Sequence, residues 1–263
     1  MRPPFVRMFG GGPVERELHS WLARVAANSG TVSSQTREDV GTLLESIYVR
    51  GIRAKFTRLN LFCGDFAACM VPLIRDVGTN VETNDNFITG DYSERGANAG
   101  LKGNGSNKRI RWGVAFTGSA DWHVSYYVTT AQAADERQMW FPTSQWGINM
   151  VSVASAYIYF WPGSEAGGQG LSVANGHAGF IGMSKGASGN KGYNRASASA
   201  DLVPGSSQSA GEQYLFFGNG GGVANYQNAR GGGYSWGASM SQTDMQNWRT
   251  IMNTFQTALG RNA

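Results

Sequence analysis

The chain has 263 residues, 41% of them hydrophobic and 12% aromatic, with a formal net charge of +4 and only 15% charged residues. That length and apolar content exclude wholesale disorder and allow a full core. The charged share lies well below the roughly 25% of ordinary soluble domains, so Gly, Ser, Asn and Thr make a polar, weakly charged surface of the kind that packs against neighbours or meets sugars.

Helical spacing comes first along the chain. Pro13 can open a helix, and Leu18, Trp21, Leu22 and Val25 follow at i, i+3, i+4 and i+7 before Asn28-Ser29-Gly30. A second helix is predicted from Ser33 or Ser34, with Val40, Leu43, Leu44 and Ile47 on one stripe, ending near Gly51. Two short helices of this kind do not fold alone, so their stripes should face the main body or another subunit.

From about Phe56 the period shifts toward two. Ile110, Trp112 and Val114 alternate with Arg109, Arg111 and Gly113, and Trp122, Val124, Tyr126 and Val128 alternate with His123, Ser125, Tyr127 and Thr129. Further strands are predicted at Arg137–Phe141, Val153–Trp161, Ala178–Ser184, Tyr214–Gly218 and Tyr234–Met240, with glycine-rich turns and long loops between them. The last element is a helix. Ser241 and Asp244 form a capping-box pattern, and Met245, Trp248, Ile251, Met252, Phe255 and Leu259 recur at helical spacing. The pattern predicts a mainly β fold: an antiparallel β-sandwich or jelly roll with an N-terminal helical hairpin and a C-terminal docked helix. The expected divisions are 1–12, an extended arm; 13–55, the hairpin; and 56–263, the sandwich closed by a helix over 241–260.

Several function classes lose support. The basic residues are scattered, and the densest group, Lys108, Arg109 and Arg111, alternates with Ile110 and Trp112 as a solvated strand face would, so no nucleic acid is expected. No window of about 18 apolar residues occurs, so no helical membrane span is expected. Residues 1–9 lack a continuous apolar stretch and make a poor signal peptide. Cys63 and Cys69, six residues apart beside a helical turn, suit two buried thiols made in a reducing cytosol better than a bridge.

Catalytic and metal signals are sparse. Sugar hydrolysis needs two carboxylates roughly 5 to 10 Å apart, yet after residue 137 only Glu165, Asp201, Glu212 and Asp244 remain, all in expected loops or element edges. His19, His123 and His177 share no metal spacing, and no cofactor is expected. His123 lies on a strand face with Ser125 and Tyr127, where a polar sheet-face histidine is favoured over a nucleophilic pair because no acid orients it. Glu82-Thr83-Asn84-Asp85-Asn86 with Asp91 offers oxygens for calcium but misses the EF-hand spacing, and a solvated turn is the simpler reading.

Aromatic placement carries more. Period two puts Tyr157, Tyr159 and Trp161 on one face and Ile158 with Phe160 on the other, so the strand is either covered on both sides or offers a platform on which sugars stack. Tyr193, Asn194 and Arg195, and Tyr226, Asn228 and Arg230, combine residue types enriched at adaptable contact surfaces.

A family resemblance rests on an ordered series: Gly30-Thr31-Val32-Ser33, Leu59-Asn60-Leu61-Phe62-Cys63-Gly64, Val71-Pro72-Leu73-Ile74, Gly90-Asp91-Tyr92, Gly100-Leu101-Lys102-Gly103-Asn104-Gly105-Ser106-Asn107-Lys108, and Phe255-Gln256-Thr257-Ala258-Leu259-Gly260-Arg261. From about residue 13 onward the chain resembles a module near the C-termini of many tailed-bacteriophage structural and tail-fibre proteins. Its final strand and Ser-initiated helix are similar to those of concanavalin-like, laminin-G-type lectin sandwiches.

The resemblance implies a non-enzymatic virion component made in the host cytoplasm and present in many copies or as a homo-oligomer. Its partners would be other virion proteins and, weakly, host surface polysaccharide. A tail or fibre place leads, a capsid decoration is the alternative, and a surface-polysaccharide hydrolase is the more distant rival. Met1 to Gly12, rich in Pro, Arg and Gly, would insert into a neighbouring subunit, with Arg2, Phe5, Arg7 and Phe9 as assembly contacts.

Overall fold

The computed structural model describes residues 11–116, 121–130, 136–141, 146–151, 157–161, 169–172, 178–186, 189–193, 199–202, 211–215, 217–220, 223–226 and 228–261, with side chains for 11–113, 121–130, 178–186 and 228–261. The helices form where their caps and stripes place them. Pro13 begins α1 (Pro13–Ala27), and Ser29 at φ 57° ends it. The Ser33 hydroxyl accepts from the Thr36 amide at the start of α2 (Ser34–Val49). Asp65 caps the single turn α3 (Phe66–Cys69), and the Ser241–Asp244 capping box opens α4 (Gln242–Ala258).

The strands are β1 (Phe56–Asn60), β2 (Ile74–Arg75), β3 (Thr83–Asp85), β4 (Tyr92–Ser93), β5 (Gly100–Lys102), β6 (Arg109–Phe116), β7 (Trp122–Thr130), β8 (Glu136–Phe141) and β9 (Trp146–Val151). They continue with β10 (Tyr157–Trp161), β11 (Gln169–Ser172), β12 (Gly179–Gly186), β13 (Gly189–Tyr193), β14 (Ser199–Leu202), β15 (Gly211–Leu215), β16 (Phe217–Gly220), β17 (Val223–Tyr226) and β18 (Arg230–Gly237). One sheet runs β14-β13-β12-β7-β18-β1-β2, with β5 and β4 attached beside β18; the other runs β11-β10-β9-β8-β15-β6-β3; β16 and β17 form a separate hairpin. Every pairing is antiparallel, for example Tyr126 opposite Tyr234 and Ile181 opposite Tyr126. The fold is mainly β, as the alternation predicts.

Four strand expectations change, the first being the Tyr214–Gly218 candidate, which falls on two strands, β15 ending at Leu215 and β16 beginning at Phe217. Of the Val153–Trp161 candidate, Tyr157–Trp161 is a strand and 153–156 lie outside the described residues, and an additional strand occupies Trp146–Val151. The glycine-rich stretch, expected as long loops around the strands at Ala178–Ser184 and Tyr214–Gly218, also carries β11, β13, β14 and β17, because ladder hydrogen bonds need only backbone and pairs such as Met183 opposite Gly192 accept a missing side chain. Strand β18 begins at Arg230, four residues before the aromatic signal at Tyr234. Its glycines answer close approach: a Cβ on Gly233 (φ +151°) would lie 2.7 Å from the Asn60 carbonyl, and one on Gly237 would lie 1.9 Å from that of Lys55.

The layers follow from the two buried faces. The helices cover one face of the first sheet, enclosing Leu18, Trp21, Val40, Leu44, Ile47, Phe56, Leu59, Tyr127, Phe180, Trp248 and Phe255. Between the sheets lie Ile110, Trp112, Trp122, Val124, Tyr126, Val128, Ile181, Met183 and Tyr234, with the Trp112 ring stacked on Tyr234 at 4.5 Å and 7°. Strand β7 is therefore buried from Trp122 to Thr129 on both sides. The polar sheet face expected at His123 is present, and α4 covers it.

A buried ion pair crosses the body. Arg58 on β1 donates to the Glu82 carboxylate at 2.9 Å, to the Tyr234 hydroxyl at 3.0 Å, and to the Val77 and Thr79 carbonyls. Tyr234 in turn donates to Glu82, and both charged side chains are fully buried. Glu82→Gln should cost about 3–5 kcal/mol in urea unfolding, since it leaves the Arg58 charge uncompensated, and Arg58→Met with Glu82→Leu should recover most of that loss. A single variant within about 1 kcal/mol of the native chain would mean that the pair is solvated.

Candidate functional site

The acidic segment expected as a calcium loop or a solvated turn is neither. Glu82 belongs to the buried pair. Asp85 accepts from Arg109 at 2.6 Å and from Arg111 at 3.0 Å, and Asp91 accepts from Lys108 and from the Ile88 amide. Partial burial would raise the Asp85 carboxyl, but the two guanidiniums outweigh it and hold the group below the ordinary carboxylate range. The Lys108–Arg111 group is thus no free cationic strand face; its charges are spent on these acids. Among the described residues no cluster of three His, Cys, Asp or Glu side chains can hold a metal ion.

The remaining described carboxylates from residue 56 onward are likewise engaged. Asp65 accepts from Thr31 and the Ala68 amide, Asp76 from Arg53, and Glu94 from Thr36 and the Gly64 amide. Asp121 accepts from the Ser239 amide and Asp244 from the Ser241 amide. Glu165, Asp201 and Glu212 have no described side chains, and His177 lies outside the described residues. Cys63 and Cys69 are buried and free.

His123 and Ser125 meet through a third residue. The His123 Nδ1–H donates to the Ala238 carbonyl at 2.7 Å, which leaves Nε2 to accept from the Ser235 hydroxyl at 3.0 Å. The Ser125 hydroxyl lies 2.6 Å from Ser235 Oγ, and the Trp248 indole N–H points at both oxygens, 2.9 and 3.1 Å away. The Phe56 ring edges the imidazole at 5.6 Å. No water reaches this chain of hydroxyls, and no carboxylate bonds the imidazole, so it fastens α4 to β7 and β18 instead of activating a nucleophile.

The contact candidates lie on separate elements. Tyr157, Tyr159 and Trp161 occupy alternate positions of β10 in the second sheet, between β9 and β11. Tyr193 ends β13 in the first sheet, and Tyr226 ends β17 of the hairpin. Asn228 is exposed, while Arg230 donates to the Gly100 carbonyl at 3.0 Å and to that of Asp91 at 3.4 Å, bracing β5. Asn194, Arg195, Arg2, Phe5, Arg7 and Phe9 lie outside the described residues.

The concavity that sequence reasoning missed is a groove of about 250 Å³ between α2 and α4. Leu43, Ile251 and Phe255 form its floor, Thr42, Ser46, Thr250 and Thr254 its walls, and Asp39 and Arg50 mark its ends. Asp39 is tied to Arg95 at 2.8 Å, and Arg95 also holds the Ala258 carbonyl. A hydroxyl stripe at 250 and 254 is visible in the sequence; that it faces 42 and 46 of another helix is not.

No protein-family model and no curated protein matches the chain. Among solved structures, a mutant of Trypanosoma rangeli sialidase displaying trans-sialidase activity is similar with TM-score 0.51 and 7% identity, over 92% of this chain and 38% of that one. Trypanosoma rangeli sialidase in complex with sialic acid is similar with TM-score 0.48 and 10% identity, over 74% of this chain and 33% of that one. The chain thus spans less than two fifths of those structures, and what it shares with the first is a β-rich fold.

Burial depresses the His123 imidazole to about 4. The unfolded chain then binds the extra proton across the interval from about 6.5 to 4, so stability should fall as pH drops through it, by up to about 3 kcal/mol. Thermal unfolding against pH should show this slope, and His123→Gln should remove it while leaving carboxylate titration at lower pH. An unchanged slope in the variant would place the titration elsewhere.

Proposed function

We propose that the chain is a non-enzymatic structural component of a tailed-phage virion, associated with tail or fibres, whose sandwich meets host surface polysaccharide weakly and in many copies. The observation that supports this most is the use of the carboxylates: from residue 56 onward every one with a described side chain is engaged by a cation, an amide or a hydroxyl of the fold. A glycosidase keeps an acid and a base facing each other across an open cleft. Among the described residues the carboxylates serve as cross-braces instead. The weakly charged surface and the ordered series of phage-like segments favour the same reading.

Contact with sugar falls to Tyr157, Tyr159 and Trp161 on β10 and to the tyrosines that end β13 and β17. Single-site affinity would be low, and display in many copies would raise it roughly 100-fold or more by effective concentration. The chain, immobilised densely, should retain host polysaccharide that it fails to retain when sparse, and Trp161→Ala should abolish retention. No reducing ends should appear on incubation. Release of reducing ends that is lost in Glu165→Gln or Glu212→Gln would overturn the non-enzymatic reading in favour of a hydrolase.

A further inference from the structure

The turn between β5 and β6 is braced at its ends and exposed from Asn104 to Asn107. The Gly103 amide donates to the Ala229 carbonyl at 3.2 Å, Asn86 Nδ2 to the Asn107 carbonyl at 2.9 Å, and the Lys108 ammonium pairs with Asp91. Within the turn, three successive backbone amides converge on one atom. Those of Ser106, Asn107 and Lys108 donate to Asn104 Oδ1 at 3.0, 3.0 and 3.2 Å, while Asn104 Nδ2 donates to Asn107 Oδ1 at 2.7 Å. Such a nest of amides suits an anion better than a neutral amide oxygen, because bonds to a charged acceptor are about twice as strong.

The next residue is Gly105, at φ +68°, with no side chain to shield its nitrogen. The bond from the Ser106 amide closes a ring that contains both Asn104 Cγ and the Gly105 nitrogen, so an electrophile and a nucleophile share one tight turn. Water and hydroxide reach both, since the two residues are exposed. An amide carbon, a backbone nitrogen and a ready set of oxyanion donors are the parts of an acyl-transfer site.

We propose that Asn104 is a self-modification site, converted to aspartate by attack of the Gly105 nitrogen, with the three amides as its oxyanion hole. Hydroxide takes the Gly105 amide proton, and the nitrogen's electron pair forms a bond to Asn104 Cγ as the carbonyl pair moves onto Oδ1. The charge thus develops where the amides of Ser106, Asn107 and Lys108 already point. The pair then returns from Oδ1, the Cγ–Nδ2 bond breaks, and Nδ2 leaves as ammonia with a proton from water. A succinimide ring remains. Water next adds to Cγ, again placing charge on Oδ1, and the Cγ–N bond breaks as the Gly105 nitrogen regains its proton. One water is consumed and one ammonia released, with no change of oxidation state. Opening at the ring's other carbonyl would give isoaspartate, but the amides are aimed at Oδ1, which directs the ring to ordinary aspartate. The new carboxylate keeps all three amides, and the Asn107 side-chain amide, turned over, donates where it had accepted. Each conversion takes one unit from the formal net charge of +4.

The test incubates the full-length chain and a synthetic peptide of residues 100–110 in the same mildly alkaline buffer. Tryptic mapping by mass spectrometry, with fragmentation that separates aspartate from isoaspartate, follows residue 104 in each. The folded chain should convert about tenfold faster than the peptide, which lacks the braced amides, and should yield mainly aspartate. The variant Asn104→Asp should melt no lower than the native chain, because the turn already presents three donors to a carboxylate. Conversion in the folded chain that is no faster than in the peptide, or that yields mainly isoaspartate, would overturn the proposal. So would an Asn104→Asp variant that melts below the native chain.

Discussion

The body depends on one buried charge pair. Removing Arg58 and Glu82 from water costs several kcal/mol per ion, and the structure offsets this only because every polar atom in the cluster finds a fixed partner. Arg58 belongs to β1, Tyr234 to β18, and Glu82 to the segment that enters β3 of the opposite sheet. The pair therefore fixes where one sheet lies on the other, and Trp112 stacked on Tyr234 extends that alignment across the sandwich. Such a cluster confers specificity more than raw stability. A one-residue slip of β18 against β1 would turn the Tyr234 side chain to the helical face and strand both charges.

A second polar chain does the same on the other face. His123, Ser235, Ser125 and Trp248 satisfy one another under α4, so a helix with an apolar stripe docks on a strand face that alternates polar and aromatic. With both faces of the first sheet covered, and with Asp85, Asp91, Asp65 and Glu94 holding loops to strands and helices, the described polar residues serve architecture.

Much of this was legible in the residues. Helix starts were written in Pro13, Ser33 and the Ser241–Asp244 box, and helix faces in the spacing of Trp21, Leu44 and Trp248, because caps and stripes are local. Alternation in Arg109–Val114 and Trp122–Thr129 gave two core strands. Pairings between distant segments were not legible. Glu82 is 24 positions from Arg58 and 152 from Tyr234, so its neighbours in sequence suggested an open acidic loop. That a helix covers the polar sheet face of His123 was not legible either, because that helix lies 115 or more residues later, where Ala238 leads into α4. Strand Trp146–Val151 does alternate, Trp146, Ile148 and Met150 with Gly147 and Asn149, but over only six residues with a glycine among them, which makes a weak signal. The groove needed the meeting of two helices some 200 residues apart, which no local pattern encodes.

The account is tested most directly by locating the chain in intact phage particles by cryo-electron microscopy. It predicts density for this sandwich at the tail tip or fibres, repeated around the symmetry axis, with β10 and the ends of β13 and β17 turned outward. Particles that assemble and infect without any copy of the chain would contradict it.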